Sequence, residues 1–317
     1  MHISCTQDFL CATYVLLSAY VAFCGTSCSE RNESYNANIT MKIYKLTAGI
    51  YIEKEGKFYH AEVDDWDTFV NDDNLRSKLE WLTEEGRMDV PINFSDGSIL
   101  PPIGKQELWA CGVTYLRSKI GRQEESKEAG GGDFYARVYE ADRPEVFFKS
   151  TPHRVVGHKG QVRIRKDSAW DVPEPELTLL ATSSGKIVGY TIGNDMSSRS
   201  IEGENPLYLP QAKTYDGCAA LGPCIYVPPT ALKNSALIQL QILRSGQSVF
   251  EGQVKLDQMK RTPEELVSFV FMECSFPHGC FIMTGTGIVP GHEFTLRSRD
   301  EIRITIDGIG TLVNYVA

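Results

Sequence analysis

Trp170-Asp-Val-Pro-Glu-Pro-Glu-Leu-Thr-Leu-Leu180 reads as an extended strand with two carboxylates on one face. Residues i and i+2 of a strand project to the same side, so Glu174 and Glu176 aim four oxygens at one spot. Leu177, Leu179 and Leu180 continue the run and make it too apolar for a solvated strand. A third acid follows in Gly189-Tyr-Thr-Ile-Gly-Asn-Asp195. Carboxylates at the mouth of a core are costly unless an ion neutralises them. An all-oxygen set with no cysteine or histidine nearby suits a hard divalent cation, magnesium first, then manganese or calcium. The spacing alone leaves a second reading open, an exposed edge strand with two solvated glutamates.

Outward from this strand the chain has an ordinary globular composition, 42% apolar and 23% charged, and its 317 residues suffice for two domains. A net charge of −9 and the lack of a sustained basic patch argue against a nucleic-acid partner. Residues 1–40 stand apart. They hold Cys5, Cys11, Cys24 and Cys28 and an apolar stretch from Phe9 to Gly25 that has signal-peptide length but no preceding Lys or Arg. This segment is expected to be a disordered leader or a start assigned too early, with Met41-Lys-Ile-Tyr reading like a natural beginning. An atypical export signal and a structural N-terminal segment are the alternatives. The expected localisation is cytoplasmic, with export if residues 1–40 act as a signal, and no membrane partner is expected for the mature domain. Cys111, Cys218, Cys224, Cys274 and Cys280 form no CxxC pair and read as buried thiols rather than a zinc site or disulfide framework.

From Met41 the runs Ile43-Tyr-Lys-Leu and Gly49-Ile-Tyr-Ile-Glu read as strands, and Asp67 to Leu82 as one or two helices. The proline-rich Ile99-Leu-Pro-Pro-Ile-Gly104 is the linker candidate, so residues 41–104 are expected to form a small N-terminal domain and residues 105–317 a larger one. In the larger part, strand-length runs broken by Gly and Pro predict a β-rich domain closing on itself with few helices. Two helices stand out. Arg117 to Glu128 is highly charged and runs into Gly130-Gly-Gly132, which fits either a hinged lid or a solvated surface helix. Thr262-Pro-Glu-Glu-Leu opens with a cap residue, a proline at the first helical position and early acids, and reads as a packed helix.

Five motifs in order carry a family resemblance. They are Glu145-Val-Phe-Phe-Lys-Ser-Thr-Pro, Asp167-Ser-Ala-Trp-Asp-Val-Pro-Glu-Pro-Glu-Leu, Gly189-Tyr-Thr-Ile-Gly-Asn-Asp-Met-Ser-Ser-Arg199, Glu204-Asn-Pro-Leu-Tyr-Leu-Pro-Gln-Ala-Lys-Thr-Tyr215 and Met283-Thr-Gly-Thr-Gly-Ile-Val-Pro-Gly291. Together they resemble the fumarylacetoacetate hydrolase superfamily, from about Trp109 to the C-terminus and more loosely from Met41. Within it the Glu204–Tyr215 block is most similar to the 2-keto-3-deoxy-arabinonate dehydratases. The resemblance implies a β-rich α+β fold, a mixed β-sandwich roll with a small N-terminal α/β module. It further implies a homodimer or homotetramer acting on a small-molecule keto acid.

The same resemblance assigns site residues. Glu174, Glu176 and Asp195 match the family's magnesium ligands, and Lys213 its active-site lysine. Glu145 and Thr114 match an acid and a hydroxyl that handle a proton or water. Thr286 and Gly285 fall in the turn that contacts the substrate carboxylate, where glycine lets backbone N–H groups approach an anion. Lys149, Tyr115 and Arg199 complete the implied substrate contacts. The frequent Ser-Ala-Arg-Asp of the superfamily is Ser197-Ser-Arg-Ser200 here, so Arg199 lacks its usual neighbouring acid. Thr114 stands where a serine is also common and keeps the hydroxyl.

The chemistry implied is removal of water from a 2-keto-3-deoxy sugar acid. A cation holding the keto acid favours loss of a C3 proton to Lys213, and the C4 hydroxyl then leaves with Glu145 as donor or relay. A partly dry pocket beside a cation favours the neutral lysine that this step needs. Two other classes remain: hydrolysis of a carbon–carbon bond in a diketo acid or acylpyruvate, and non-catalytic cation binding. His153 and His158 read as structural, and the chain carries no serine elbow, phosphate loop or dinucleotide fingerprint.

Overall fold

Strand parity organises the whole molecule. The computed structural model describes residues 39–84, 87–92, 94, 98–125 and 137–317. The expected leader before Ile39 and the Gly130–Gly132 hinge lie outside the described residues. Residues 41–317 form one compact unit.

Its larger sheet has ten strands: β1 (Met41–Leu46), β2 (Gly49–Lys54), β3 (Lys57–Ala61), β4 (Glu107–Gly112), β5 (Glu145–Ser150), β6 (Val155–Val156), β8 (Asp171–Ala181), β9 (Ile187–Ser198), β10 (Ala219–Val227) and β13 (Cys280–Met283). Their order is β3-β2-β1-β10-β9-β8-β13-β4-β5, with β6 alongside β10. The smaller sheet comprises β7 (Gln161–Val162), β11 (Leu237–Arg244), β12 (Gln247–Lys255), β14 (Glu301–Ile306) and β15 (Gly310–Val316), in the order β12-β11-β14-β15-β7. Among the described residues neither sheet closes. The strand-rich half is therefore two open sheets packed face to face, and the expectation of a domain closing on itself is corrected to a sandwich. The physical reason lies in the core: each sheet buries its apolar face against the other, so no closure is needed to hide it.

Alternation along β8 separates two cores. Leu177 and Leu179 point to the inter-sheet core, where they join Ile192, Ile238, Leu240, Ile302 and Ile304. Leu180 points the other way, with Leu221, Ile43, Ile52, Phe281 and Met283. That second face is covered at one end by α1 (Trp66–Val70) and α2 (Leu75–Leu82) through Phe69, Val70, Leu75 and Leu79. The 67–82 stretch is thus two helices. The same strand pairing draws β1 onto β10 through Met41↔Val227 and Ile43↔Ile225. The proline-rich stretch is pinned across this region, with Leu100 N donating to Lys45 O at 2.8 Å and Lys45 Nζ to Ile103 O at 2.6 Å.

Further helices among the described residues include α3 (Leu116–Glu125), α4 (Arg199–Glu204), α5 (Leu209–Lys213) and α6 (Pro263–Val270). As its sequence predicts, α6 is capped: Thr262 Oγ1 accepts from Glu265 N at 3.1 Å, and Leu266, Val267 and Val270 are buried. Four of the five cysteines beyond residue 40 are buried and Cys274 is exposed, all unpaired. His158 is structural, its Nδ1 accepting from Val313 N at 3.2 Å. No helix among the described residues is long and apolar enough to cross a membrane.

Candidate metal centre and active site

The antiparallel register of β8 and β9 sets Glu174 opposite Asp195 and Glu176 opposite Gly193. One oxygen from each of Glu174, Glu176 and Asp195 lies within 4.8 Å of the others. All three are at most 4% exposed. β8 runs between β9 and β13, and every one of its residues is buried, which excludes the edge-strand reading. The acids share the face of Leu180 but sit at the opposite end of the strand from α1 and α2.

At that end α4 and α5 bring cations instead of apolar cover. β9 ends at Ser198, whose hydroxyl accepts from Ile201 N and starts α4, so Arg199 is the first helical residue and folds back over β8. Its Nη2 donates to Glu174 Oε1 at 2.5 Å. Lys213, the last residue of α5, donates from Nζ to Glu174 Oε2 at 2.7 Å, Asp195 Oδ2 at 3.0 Å and Ser197 Oγ at 2.6 Å. Three donated hydrogen bonds are the full complement of an ammonium.

β5 contributes by alternation as well, since Glu145, Phe147 and Lys149 share one face. Glu145 pairs with Gly112, and a Cβ on Gly112 would fall 1.8 Å from Glu145 Oε2, so the glycine makes room for that carboxylate beside the cavity. Phe147 lines the cavity and lays its ring 5.8 Å from Lys213 Nζ. Lys149 is fully buried, with Nζ 2.5 Å from Asp195 Oδ1 and donating to Met196 O at 3.0 Å and Lys213 O at 2.5 Å. Its donors are directed into the scaffold rather than into the cavity.

The turn after β13 closes the site. Gly285 N donates to Glu176 Oε2 at 2.6 Å, and Gly285 has φ +91°. A side chain there would meet Thr114 Oγ1 at 2.1 Å and Cys111 O at 2.8 Å, so both conformation and space demand glycine. Thr114 Oγ1 donates to Thr284 O at 2.7 Å and pins the turn. Thr286 lines the cavity while its hydroxyl accepts from Ile288 N at 3.1 Å. Tyr115 is not brought to the cavity: it packs in the inter-sheet core. A groove of about 830 Å³ lies elsewhere, on the outer face of the smaller sheet, and contains none of these groups.

Electrostatics favour a divalent ion. Burial, then the charges of Asp195 and Glu174, push the Glu176 carboxyl well above the usual carboxylate range. Burial also keeps the Cys111 thiol at the cavity wall protonated, so it is no nucleophile. Three buried carboxylates without sulfur or imidazole fit an oxygen-seeking cation such as magnesium, manganese or calcium.

The fumarylacetoacetate (FAA) hydrolase C-terminal family model matches residues 119–317. The chain belongs to this family. Among its family relatives, a probable 2-keto-3-deoxyxylonate dehydratase of Haloferax volcanii is 47% identical over 236 residues, covering 74% of this chain and 80% of the relative. The 2-dehydro-3-deoxy-D-arabinonate dehydratase of Saccharolobus solfataricus is 44% identical over 228 residues, covering 71% and 76%. A solved 2-keto-3-deoxy-D-arabinonate dehydratase complexed with magnesium and 2,5-dioxopentanoate superposes with a TM-score of 0.73 at 34% identity, covering 87% of this chain and 98% of that one.

Three residues at this candidate site escape sequence reasoning. Ser197 and Phe147 sit beside Lys213, and Glu202, 1% exposed, approaches Lys213 Nζ at 3.4 Å and Arg199 Nε at 4.0 Å. Strand parity within Glu145–Ser150 is the signal that could have found Phe147, and the i,i+3 spacing from Arg199 on a capped helix the one that could have found Glu202.

Proposed function

We propose that the chain is a metal-dependent hydro-lyase that removes water from a 2-keto-3-deoxy sugar acid, as in the conversion of 2-keto-3-deoxy-arabinonate to 2,5-dioxopentanoate. The observation that carries this reading is the placement of Lys213 Nζ against Glu174 and Asp195, in one cavity with Gly285 and Thr286. The 44–47% identity to dehydratases of this substrate class supports it.

Glu174, Glu176 and Asp195 would hold a divalent ion, magnesium first, which supplies Lewis acidity against the negative charge that develops on the keto oxygen. Lys213, as a neutral amine, takes the C3 proton. The C4–O bond then breaks, and Glu145 delivers the proton with which the hydroxyl leaves as water. The C5 hydrogen and the C5 hydroxyl proton are relocated to C3 and C4 to give the dioxo acid, so the net change is loss of one water. Gly285 and Thr286 receive the substrate carboxylate, and Arg199 lines the same cavity. Lys149 holds Asp195 and the backbone of Lys213, and Thr114 holds the turn. Phe147 excludes water from the lysine. A cytoplasmic homodimer or homotetramer completes the reading, supported by the family resemblance.

The test is incubation of the full chain with magnesium and a panel of 2-keto-3-deoxy pentonates and hexonates plus an acylpyruvate, with products followed by mass. A loss of about 18 mass units from a keto-deoxy acid, abolished by EDTA and by Glu176→Ala, is expected. Gain of water with cleavage into two acids would make the chain a hydrolase and overturn the reading.

A further inference from the structure

Every oxygen of Glu174 and Asp195 is already engaged by a cation. Glu174 gives Oε1 to Arg199 and Oε2 to Lys213, and Asp195 gives Oδ1 to Lys149 and Oδ2 to Lys213. A divalent ion on the same carboxylates competes with these contacts directly. Displaced cations in a buried site need another acceptor, because an unpaired charge there is expensive.

We infer that Glu202 is the positioning residue that holds Lys213 and Arg199 in the site when Glu174 and Asp195 serve a divalent cation. It rests on the proposed dehydratase reading only for the catalytic role of Lys213. Glu202 lies on α4, 1% exposed, with Oε1 3.4 Å from Lys213 Nζ and Oε2 4.0 Å from Arg199 Nε. It is not one of the three carboxylates that converge on the cation site. Outside the ligand set, Lys213 Nζ donates to Ser197 Oγ at 2.6 Å and lies in an ion pair 3.4 Å from Glu202 Oε1. The Glu202 carboxylate thus offers the Lys213 ammonium a counter-charge that the metal ligands do not have to share. Arg199 gains the same partner. Ser200, which stands where the family frequently has an acid, turns away to Ser168 Oγ at 2.9 Å, and the acid that faces Arg199 is Glu202, three residues along α4 from it.

The test is magnesium binding by calorimetry on the full chain, which needs no substrate. Glu202→Gln leaves Lys213 and Arg199 competing with the ion for Glu174 and Asp195, and its magnesium affinity is expected to fall about tenfold. The loss should largely vanish in a Lys213→Met background, where one competitor is gone. Glu202→Asp keeps the charge but withdraws the carboxylate by one methylene, so a fall in affinity there too assigns the effect to position; it also serves if the Gln variant does not fold. Wild-type affinity in both Glu202 variants, or an equal loss with and without Lys213, would overturn the inference. A wild-type protein that binds magnesium yet dehydrates no keto-deoxy acid would sink the proposed function and leave the Glu202 result standing.

Discussion

The two ends of β8 are equally buried and chemically opposite. At one end Leu179 and Leu180 pack into two apolar cores, with α1 and α2 sealing the face of Leu180. At the other, Glu174, Glu176, Asp195 and Glu202 face Lys149, Arg199 and Lys213 with almost no solvent. The apolar end stabilises the fold by removing surface from water. The charged end must desolvate seven ionic groups, and a buried ion network rarely exceeds well-packed hydrocarbon in stability. Such a network persists where chemistry uses it.

Substitutions at the two ends should therefore separate function from stability. At the charged end, Lys213→Ala is expected to reduce kcat on the order of 10³-fold at temperatures where calorimetry shows the variant still folded, as steady-state assays will read. Retention of most of the turnover would remove Lys213 from the proton step. At the apolar end, Leu179→Ala should cost about 3 kcal/mol in urea unfolding while kcat stays near the wild-type value. A large kcat loss there would mean that the two ends are mechanically coupled.

A third substitution sharpens the contrast. Asp171 is 3% exposed at the start of β8, and burial pushes its carboxyl up to about 6. A carboxyl raised in the folded state favours the protonated form. Its contribution is thus intact below the unfolded value of 3.8 and is lost as pH rises through about 6. Asp171→Asn should therefore be more favourable to stability at pH 8 than at pH 3.5. Denaturant melts at the two pH values check this, and equal effects would mean that the carboxyl is solvated.

Much of the site was legible because local geometry encodes it. Glu174 and Glu176 could be paired from the two-residue period of a strand, and the same period in Glu145–Ser150 groups Glu145, Phe147 and Lys149. The helices at 66–82 and 263–270 follow from periodicity and capping. Lys213 came only from the resemblance, since a lysine in a short helix looks like any surface lysine. The role of Lys149 was harder still: its Nζ reaches Asp195, Met196 and Lys213, partners that no spacing rule connects.

The sequence by itself determined which acids share a strand face, where the capped helices begin and which family pattern the chain carries, because those depend on neighbours within a few residues. Tertiary structure alone decided that β8 is central rather than an edge, that the sheets stay open, that Tyr115 belongs to the core, and that Glu202 faces the lysine. Each of these depends on which distant strands and helices share the interior, and burial energy is set by that global packing rather than by local order.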